Sequence, residues 1–353
     1  MSFEFLVITW NSKLKTMSAP TNISDSISQS GVPAFRLIES HLSRVKKLID
    51  EQMTGPAEAG DINQLLEYVS CRSSEMIRPG LVLLAGKCCG KITEEHIRVA
   101  AIVEIIHNAM VLHYDVIGKG QKRLDRPSVN GLCSNETAVL LGDFLLGRVF
   151  QMCAELKPQV NEIIAGAAVR ICEGQLRQIA QRQNWQLSES EYIDVITEKS
   201  AVLFGIACRL GALLAQGTND QIRLLDESGL NAGITYQITG ELLDVIGDEN
   251  ETETSAGKDV YEHKLTLAVI HLLRSVDKED RKAIISSCSG RKDLQLDKDS
   301  LVKMLRNYGS LEYVRARVQD FVAESVGALG ALKESDARDA LIETVKFLAG
   351  RTI

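Results

Sequence analysis

The chain is poor in the residues that favour sheets and turns. Aromatic side chains make up 5% of its 353 positions and there are only 6 prolines, while Ala, Leu, Ile and Glu are plentiful, a balance that favours helices over strands. No stretch carries a strand pattern of convincing length, and no internal repeat or linker appears after residue 34. Positive charge is also short: 47 acidic residues against 40 basic ones leave a net charge of −7, which argues against a nucleic-acid backbone as partner. None of the eight cysteines forms a Cys-x-x-Cys pair and most stand in apolar helical stretches. Reduced, buried thiols in a cytoplasmic protein are therefore expected, not a disulfide or zinc framework. No apolar run reaches the ~18 residues of a transmembrane helix, and the apolar start, Met1 to Trp10, lacks the basic leader and cleavage site of a signal peptide.

What is present is helical period. Residues 1–33 are polar after the first ten and read as a flexible N-terminal tail, with Met17 as an alternative start; residues 34–353 read as one helical domain. Phe35, Leu37, Ile38, Leu42, Val45 and Leu48 form the first apolar stripe, ended by Gly55-Pro56. Helices are expected from Ile62 to Val69 and from Leu81 to Cys89, with Gly90 at the C-cap. Another opens at Thr93 and runs to about Asp115, with Val99, Ile102, Val103, Ile106, Met110 and Leu112 on its apolar positions. Further helices are expected from Asn135, from Val160 to Gln181, from the capping box Ser188-x-x-Glu191 through Leu210-Gly211-Ala212, and up to about Gly247. A polar, acidic loop, 248–258, precedes four shorter helices.

The chain is organised around residues 107–130, where a buried helix delivers His113, Tyr114 and Asp115 to its C-terminal end and a Gly- and Lys-rich loop closes on Arg126-Pro127-Ser128-Val129-Asn130. This stretch resembles the first aspartate-rich region of the trans-prenyl diphosphate synthases, a family that reads roughly His-Asp-Asp-x-x-Asp, a loop, then Arg-Arg-Gly-x-Pro-Ser-x-Asn. Other family blocks follow in order: Ile77-Arg78-Pro79, His107, Leu141-Gly142-Asp143-Phe144-Leu145, Lys199-Ser200-Ala201, Gln237-Ile238, Gly257-Lys258-Asp259 and Lys264-x-Thr266-Leu267. The resemblance covers nearly everything from residue 40 onward. It implies an all-α, single-domain helical bundle of the isoprenoid synthase type around a central cavity, with the two aspartate motifs facing each other.

In that family, isopentenyl diphosphate is joined to an allylic diphosphate, with magnesium ions held by carboxylates of two facing helices. The departures of this chain fall on those ligands. Tyr114 and Gly118 stand where the first motif has its metal-binding aspartates, leaving Asp115; the second motif becomes Gly240-Glu241-Leu242-Leu243-Asp244. Glu241 and Asp244, three apart on one helix face, read as a solvated acidic face able at most to hold an ion weakly. No magnesium cofactor is therefore expected. On the isopentenyl side, Glu75, Met76 and Leu124 replace the family's cations, so only Arg78 and His107 persist. On the allylic side, Arg123, Lys199 and Lys264 remain with Lys258, and Gln237 keeps its family position. The bland readings beside these are a satisfied core histidine at His107, Arg123 and Lys199 paired with neighbours such as Asp125 and Glu198, and a solvent-facing Asp244. Ala109, five residues before Tyr114, is small where the family uses bulk to stop chain growth.

Three functional readings follow from the resemblance. The leading one is a prenyl-synthase-like subunit with little or no activity alone, a homodimer or a heterodimer with a catalytic prenyl diphosphate synthase, able to bind an isoprenoid diphosphate. The others are a working prenyltransferase and a ligand-free structural bundle.

Overall fold

The computed structural model describes residues 32–55, 60–72, 75–118, 122–123, 126–246, 265–288 and 298–350. The expectations for residues 1–31, the acidic loop, Leu124, Asp125, Lys258 and Lys264 lie outside them. Val32, the first described residue, is buried, and a 3₁₀ turn over Pro33–Ile38 leads into α1 (Glu39–Gln52). Then come α2 (Gly60–Arg72), α3 (Ile77–Cys89), α4 (Glu94–Ile117), a strand pair β1 (Lys122–Arg123) and β2 (Arg126–Pro127), and the single turn α5 (Val129–Leu132). The chain continues through α6 (Asn135–Cys153), α7 (Pro158–Ala180), α8 (Glu189–Ile196), a π turn over Thr197–Ala201, α9 (Val202–Leu214) and α10 (Asn219–Ile246). It closes with α11 (Leu267–Ser275), α12 (Lys278–Cys288), α13 (Lys298–Asn307), α14 (Ser310–Gly330) and α15 (Asp336–Gly350). The expected all-helical bundle is the observed fold; among the described residues the only strands are the short pair, in which Arg123 opposes Arg126.

Local chemistry sets the helix ends. Ser188 Oγ accepts from the Glu191 backbone N–H (3.1 Å) and the Glu191 carboxylate accepts from the Ser188 N–H (2.7 Å), closing the capping box. Ser134 does the first half of this for α6, accepting from Thr137. The third apolar helix starts at Ile77 instead of Leu81, because Pro79 falls in the first turn, where its missing N–H costs no hydrogen bond.

Helix α4 is the centre of the bundle. By length and mean hydropathy it would cross a bilayer, but 61% of its most apolar window is buried by neighbouring helices, which marks a core helix. It packs against α1, α3, α6 and α9. Helices α3 and α9 meet at van der Waals limits: a Cβ on Gly211 would stand 2.2 Å from the Val82 carbonyl oxygen, and one on Gly86 would stand 2.5 Å from the His96 ring. Glycine alone permits this approach. His96, fully buried, accepts from the Thr93 N–H at Nδ1 (3.1 Å), which assigns its proton to Nε2, 3.1 Å from the Gly211 carbonyl. Burial lowers its pKa, so the ring is neutral in the fold.

Candidate functional site

The helix expected to run unbroken from Ser188 to Ala212 is interrupted by the π turn Thr197–Ala201, and the candidate site is built on that turn. A π turn inserts an extra residue into the helical ladder and re-aims its side chains. Gly174 of α7 makes room for it, since a Cβ there would meet the Lys199 backbone nitrogen at 2.5 Å. From the turn, Lys199 Nζ donates to Gln178 Oε1 of α7 (3.0 Å) and lies 5.6 Å from the centre of the Tyr114 ring at the end of α4. The next residue turns the other way: Ser200 Oγ donates to Gln237 Oε1 of α10 (2.8 Å). Gln237 Nε2 in turn donates to Glu241 Oε1 (2.8 Å), and the Tyr192 hydroxyl of α8 donates to Glu241 Oε2 (2.7 Å). The stretches that carry Tyr114 and Glu241 are therefore brought to opposite sides of one two-residue bridge, Lys199-Ser200.

This arrangement corrects the reading of the second motif. Glu241 and Asp244 are 8% and 9% exposed, so they form no solvated face. Both oxygens of Glu241 accept from protein donors, which supply the hydrogen bonds a buried carboxylate needs. Glu198 also differs from expectation. It does not pair with Lys199; Arg170 takes it in a two-pronged contact at 2.6 and 3.0 Å. The magnesium that the resemblance implies finds a poor donor set. Tyr114 presents an aromatic ring where a carboxylate is needed, with its hydroxyl buried and unpartnered and its pKa raised by burial. Gly240 has no donor side chain, although a Cβ there would meet nothing within 4 Å. Among the described residues, no cluster of His, Cys, Asp and Glu has metal-binding geometry. Mg²⁺ needs near-octahedral oxygen ligands and gives up water reluctantly, and neither Tyr114 nor Gly240 offers a carboxylate.

On the opposite flank, Arg78 of α3 is buried (7% exposed) with its guanidinium 4.6 Å above the Phe204 ring and 5.7 Å from that of Tyr236. Its Nε has no hydrogen-bond partner. Beneath it on α4, Glu104 is buried with one oxygen unpartnered. Burial pushes the Glu104 carboxyl up to about 7, with Arg78 pulling it down, Glu75 adding repulsion and Lys46 attracting. His107, one turn further along α4, is half-buried. Met76 is buried and holds a left-handed backbone (φ 48°, ψ 30°) at the start of α3, and Glu75 beside it is half-buried, so this flank carries the acid expected from the sequence.

The remaining expected residues take simpler places. Asp115 is half-buried, and its carbonyl accepts from Asn130 Nδ2 (3.3 Å), joining the end of α4 to α5. Gly118 caps α4 through a bond to the Tyr114 carbonyl (2.8 Å). The backbone of Arg123 pairs in β1; its side chain lies outside the described residues. Sequence reasoning missed Tyr192, Gln178, Glu104 and the Phe204–Tyr236 pair. Ser200 was within a recognised block, but its bond to Gln237 was not foreseen.

Comparison with known proteins gives the family. The polyprenyl synthetase family profile matches residues 60–305. A short chain isoprenyl diphosphate synthase from Methanothermobacter thermautotrophicus is 30% identical over 290 residues, 81% of this chain and 89% of that one. Component 2 of the heptaprenyl diphosphate synthase of Geobacillus stearothermophilus is 27% identical over 90% of this chain and 98% of its own. Among solved structures, a polyprenyl synthase from Caulobacter crescentus CB15, complexed with calcium and isoprenyl diphosphate, superposes with a TM-score of 0.86 at 27% identity, covering 91% of this chain and 97% of that one. The fold is that of the isoprenyl diphosphate synthases. The chain belongs to the polyprenyl synthetase family.

Proposed function

We propose that this chain is a synthase-like subunit of isoprenoid biosynthesis that binds an isoprenoid diphosphate without the metal-assisted chemistry of its relatives, and acts beside a catalytic partner in the cytoplasm. The observation that carries this reading is the state of the two motifs: the Tyr114 ring lies against Lys199, and both oxygens of Glu241 are spent on Tyr192 and Gln237. Those two buried hydrogen bonds hold the carboxylate toward Tyr192 and Gln237. Lys199 meets the neutral amide of Gln178, while Glu198 is taken by Arg170.

A partner has a surface to use. Leu140 and Phe150 of α6 and Val169 and Leu176 of α7 are each more than half exposed, and apolar patches of this kind mark protein contacts. One of the relatives is named as a component of a heptaprenyl synthase, which supports pairing with a second chain. Free thiols at Cys88, Cys89, Cys133, Cys153, Cys172 and Cys208 suit a reducing compartment.

The test is incubation with isopentenyl diphosphate, an allylic diphosphate and Mg²⁺, with and without a catalytic homologue. The expected result is negligible product from this chain alone and altered yield or product length when the homologue is present. A second reading, condensation by this chain by itself, is favoured by the synthase activities for which its relatives are named. Turnover by the purified chain at a rate typical of an enzyme would establish it.

A further inference from the structure

The first turn of α4 is closed by a titratable group. A capping box ordinarily carries Glu or Gln at the third helical position; here that residue is His96, whose Nδ1 accepts from the Thr93 N–H (3.1 Å) and lies 2.9 Å from the Thr93 hydroxyl. A glutamine keeps its acceptor at every pH, but a histidine loses it on taking up a proton. Both ring nitrogens then donate, and Nδ1–H would oppose the Thr93 N–H. The ring is seated between two other helices: it lies against Gly86 of α3, and Nε2 donates to the Gly211 carbonyl of α9 (3.1 Å). The surrounding charges also disfavour an imidazolium. Helix α1 brings His41 and Arg44 to this corner and α3 brings Lys87. The carboxylates that would attract a proton, Glu94 and Glu95 of α4, are engaged by Arg44 and by Lys157 (3.7 Å). The positive end of the α4 dipole acts in the same sense.

We propose that His96 is an acid-sensitive latch: one proton taken up at Nδ1 undoes the Thr93 cap and frees the first turn of α4 from α3 and α9, while the rest of the bundle stays folded. The turn belongs to the helix that carries Tyr114 and Asp115 at its far end, and the latch uses none of the contacts of the diphosphate-binding reading. The test is amide hydrogen exchange on the full chain from about pH 7.5 to about pH 5, corrected for the intrinsic pH dependence of exchange. Protection of the Thr93 amide should fall by up to about tenfold per pH unit below 6.5, the slope of a single proton. Val318, buried in α14, should keep its protection over the same range. His96→Gln retains a neutral acceptor at the box position and should make Thr93 protection flat with pH. Histidine NMR on the unaltered chain should find the Nε2–H tautomer of His96 and a titration midpoint below 6.5, which decides the matter even where the variant does not fold. A flat Thr93 profile in the unaltered chain, an unchanged slope in His96→Gln, equal loss of protection at Val318, or a His96 ring that carries its proton on Nδ1 would each overturn the latch.

Discussion

Tyr192 and Glu241 stand 49 residues apart in sequence and share a 2.7 Å hydrogen bond inside the bundle, phenol to carboxylate. The bond joins α8 to α10 and fixes a buried carboxylate between them. It also makes the site testable one contact at a time.

Removing the donor should be costly. Tyr192→Phe takes this donor from the buried Glu241 carboxylate, a loss of about 1–3 kcal/mol read as a lower thermal midpoint. A double-mutant cycle with Glu241→Gln should return a coupling energy of at least ~0.5 kcal/mol, the signature of groups in contact. Additive single effects would mean that the two residues do not interact.

The π turn depends on a missing methyl group. Gly174→Ala places a Cβ 2.5 Å from the Lys199 nitrogen and 2.9 Å from the Glu198 carbonyl carbon, and should destabilise by about 1–3 kcal/mol. Gly240→Ala, inside α10 with open space around its new Cβ, should instead stabilise by about 0.5–1 kcal/mol in the same denaturation experiment.

Glu104 predicts a pH dependence with a definite sign. Its carboxyl is pushed up to about 7 from an ordinary 4.5, so between those values the folded chain holds more protons than the unfolded one. Stability is then fully present below pH 4.5 and falls as pH rises through 7, by at most about 3 kcal/mol. Chemical denaturation at a series of pH values should show this slope, and Glu104→Gln should flatten it. His96 acts in the opposite sense. Burial lowers its pKa, so stability is lost as pH falls below 6.5, and Glu104→Gln should leave that loss in place.

Restoring the metal ligands should restore only part of the chemistry. Tyr114→Asp, Gly118→Asp and Gly240→Asp together should give magnesium-dependent binding of an allylic diphosphate by calorimetry, since Lys199 is already directed to the site and position 240 has room. Condensation should stay poor, because Glu75 and the buried Met76 still stand where the isopentenyl side needs cations. Efficient product formation by this variant would show that those positions matter less than argued.

Much of the fold was legible because apolar period and capping chemistry are local. The Ser188 box, the long buried α4 and the Gly90 cap all declare themselves within a few residues. The burial of Glu241 and Asp244 did not, because a helix face with two acids looks solvated until Tyr192 and Ser200 arrive from other parts of the chain. Nor did the π turn: Thr197 to Ala201 carries no composition that separates it from ordinary helix, and its cause, Gly174, lies more than twenty positions upstream. The reading of Tyr114, Gly118 and Gly240 as altered ligands rests on the resemblance alone. What Tyr114 does there, lying against Lys199, needed coordinates.

The π turn works as a phase shifter. Each residue in an α-helix advances the face by about 100°, so the additional residue in this turn rotates everything after it relative to everything before it. That rotation lets neighbours in sequence, Lys199 and Ser200, answer to different helices, one to Gln178 and the other to Gln237. Deleting one residue from the turn would restore regular winding and carry Phe204, the shelf for Arg78, out of register with α3. The two flanks of the site are thus geared together through a single irregular turn, and a change on one side cannot leave the other where it was.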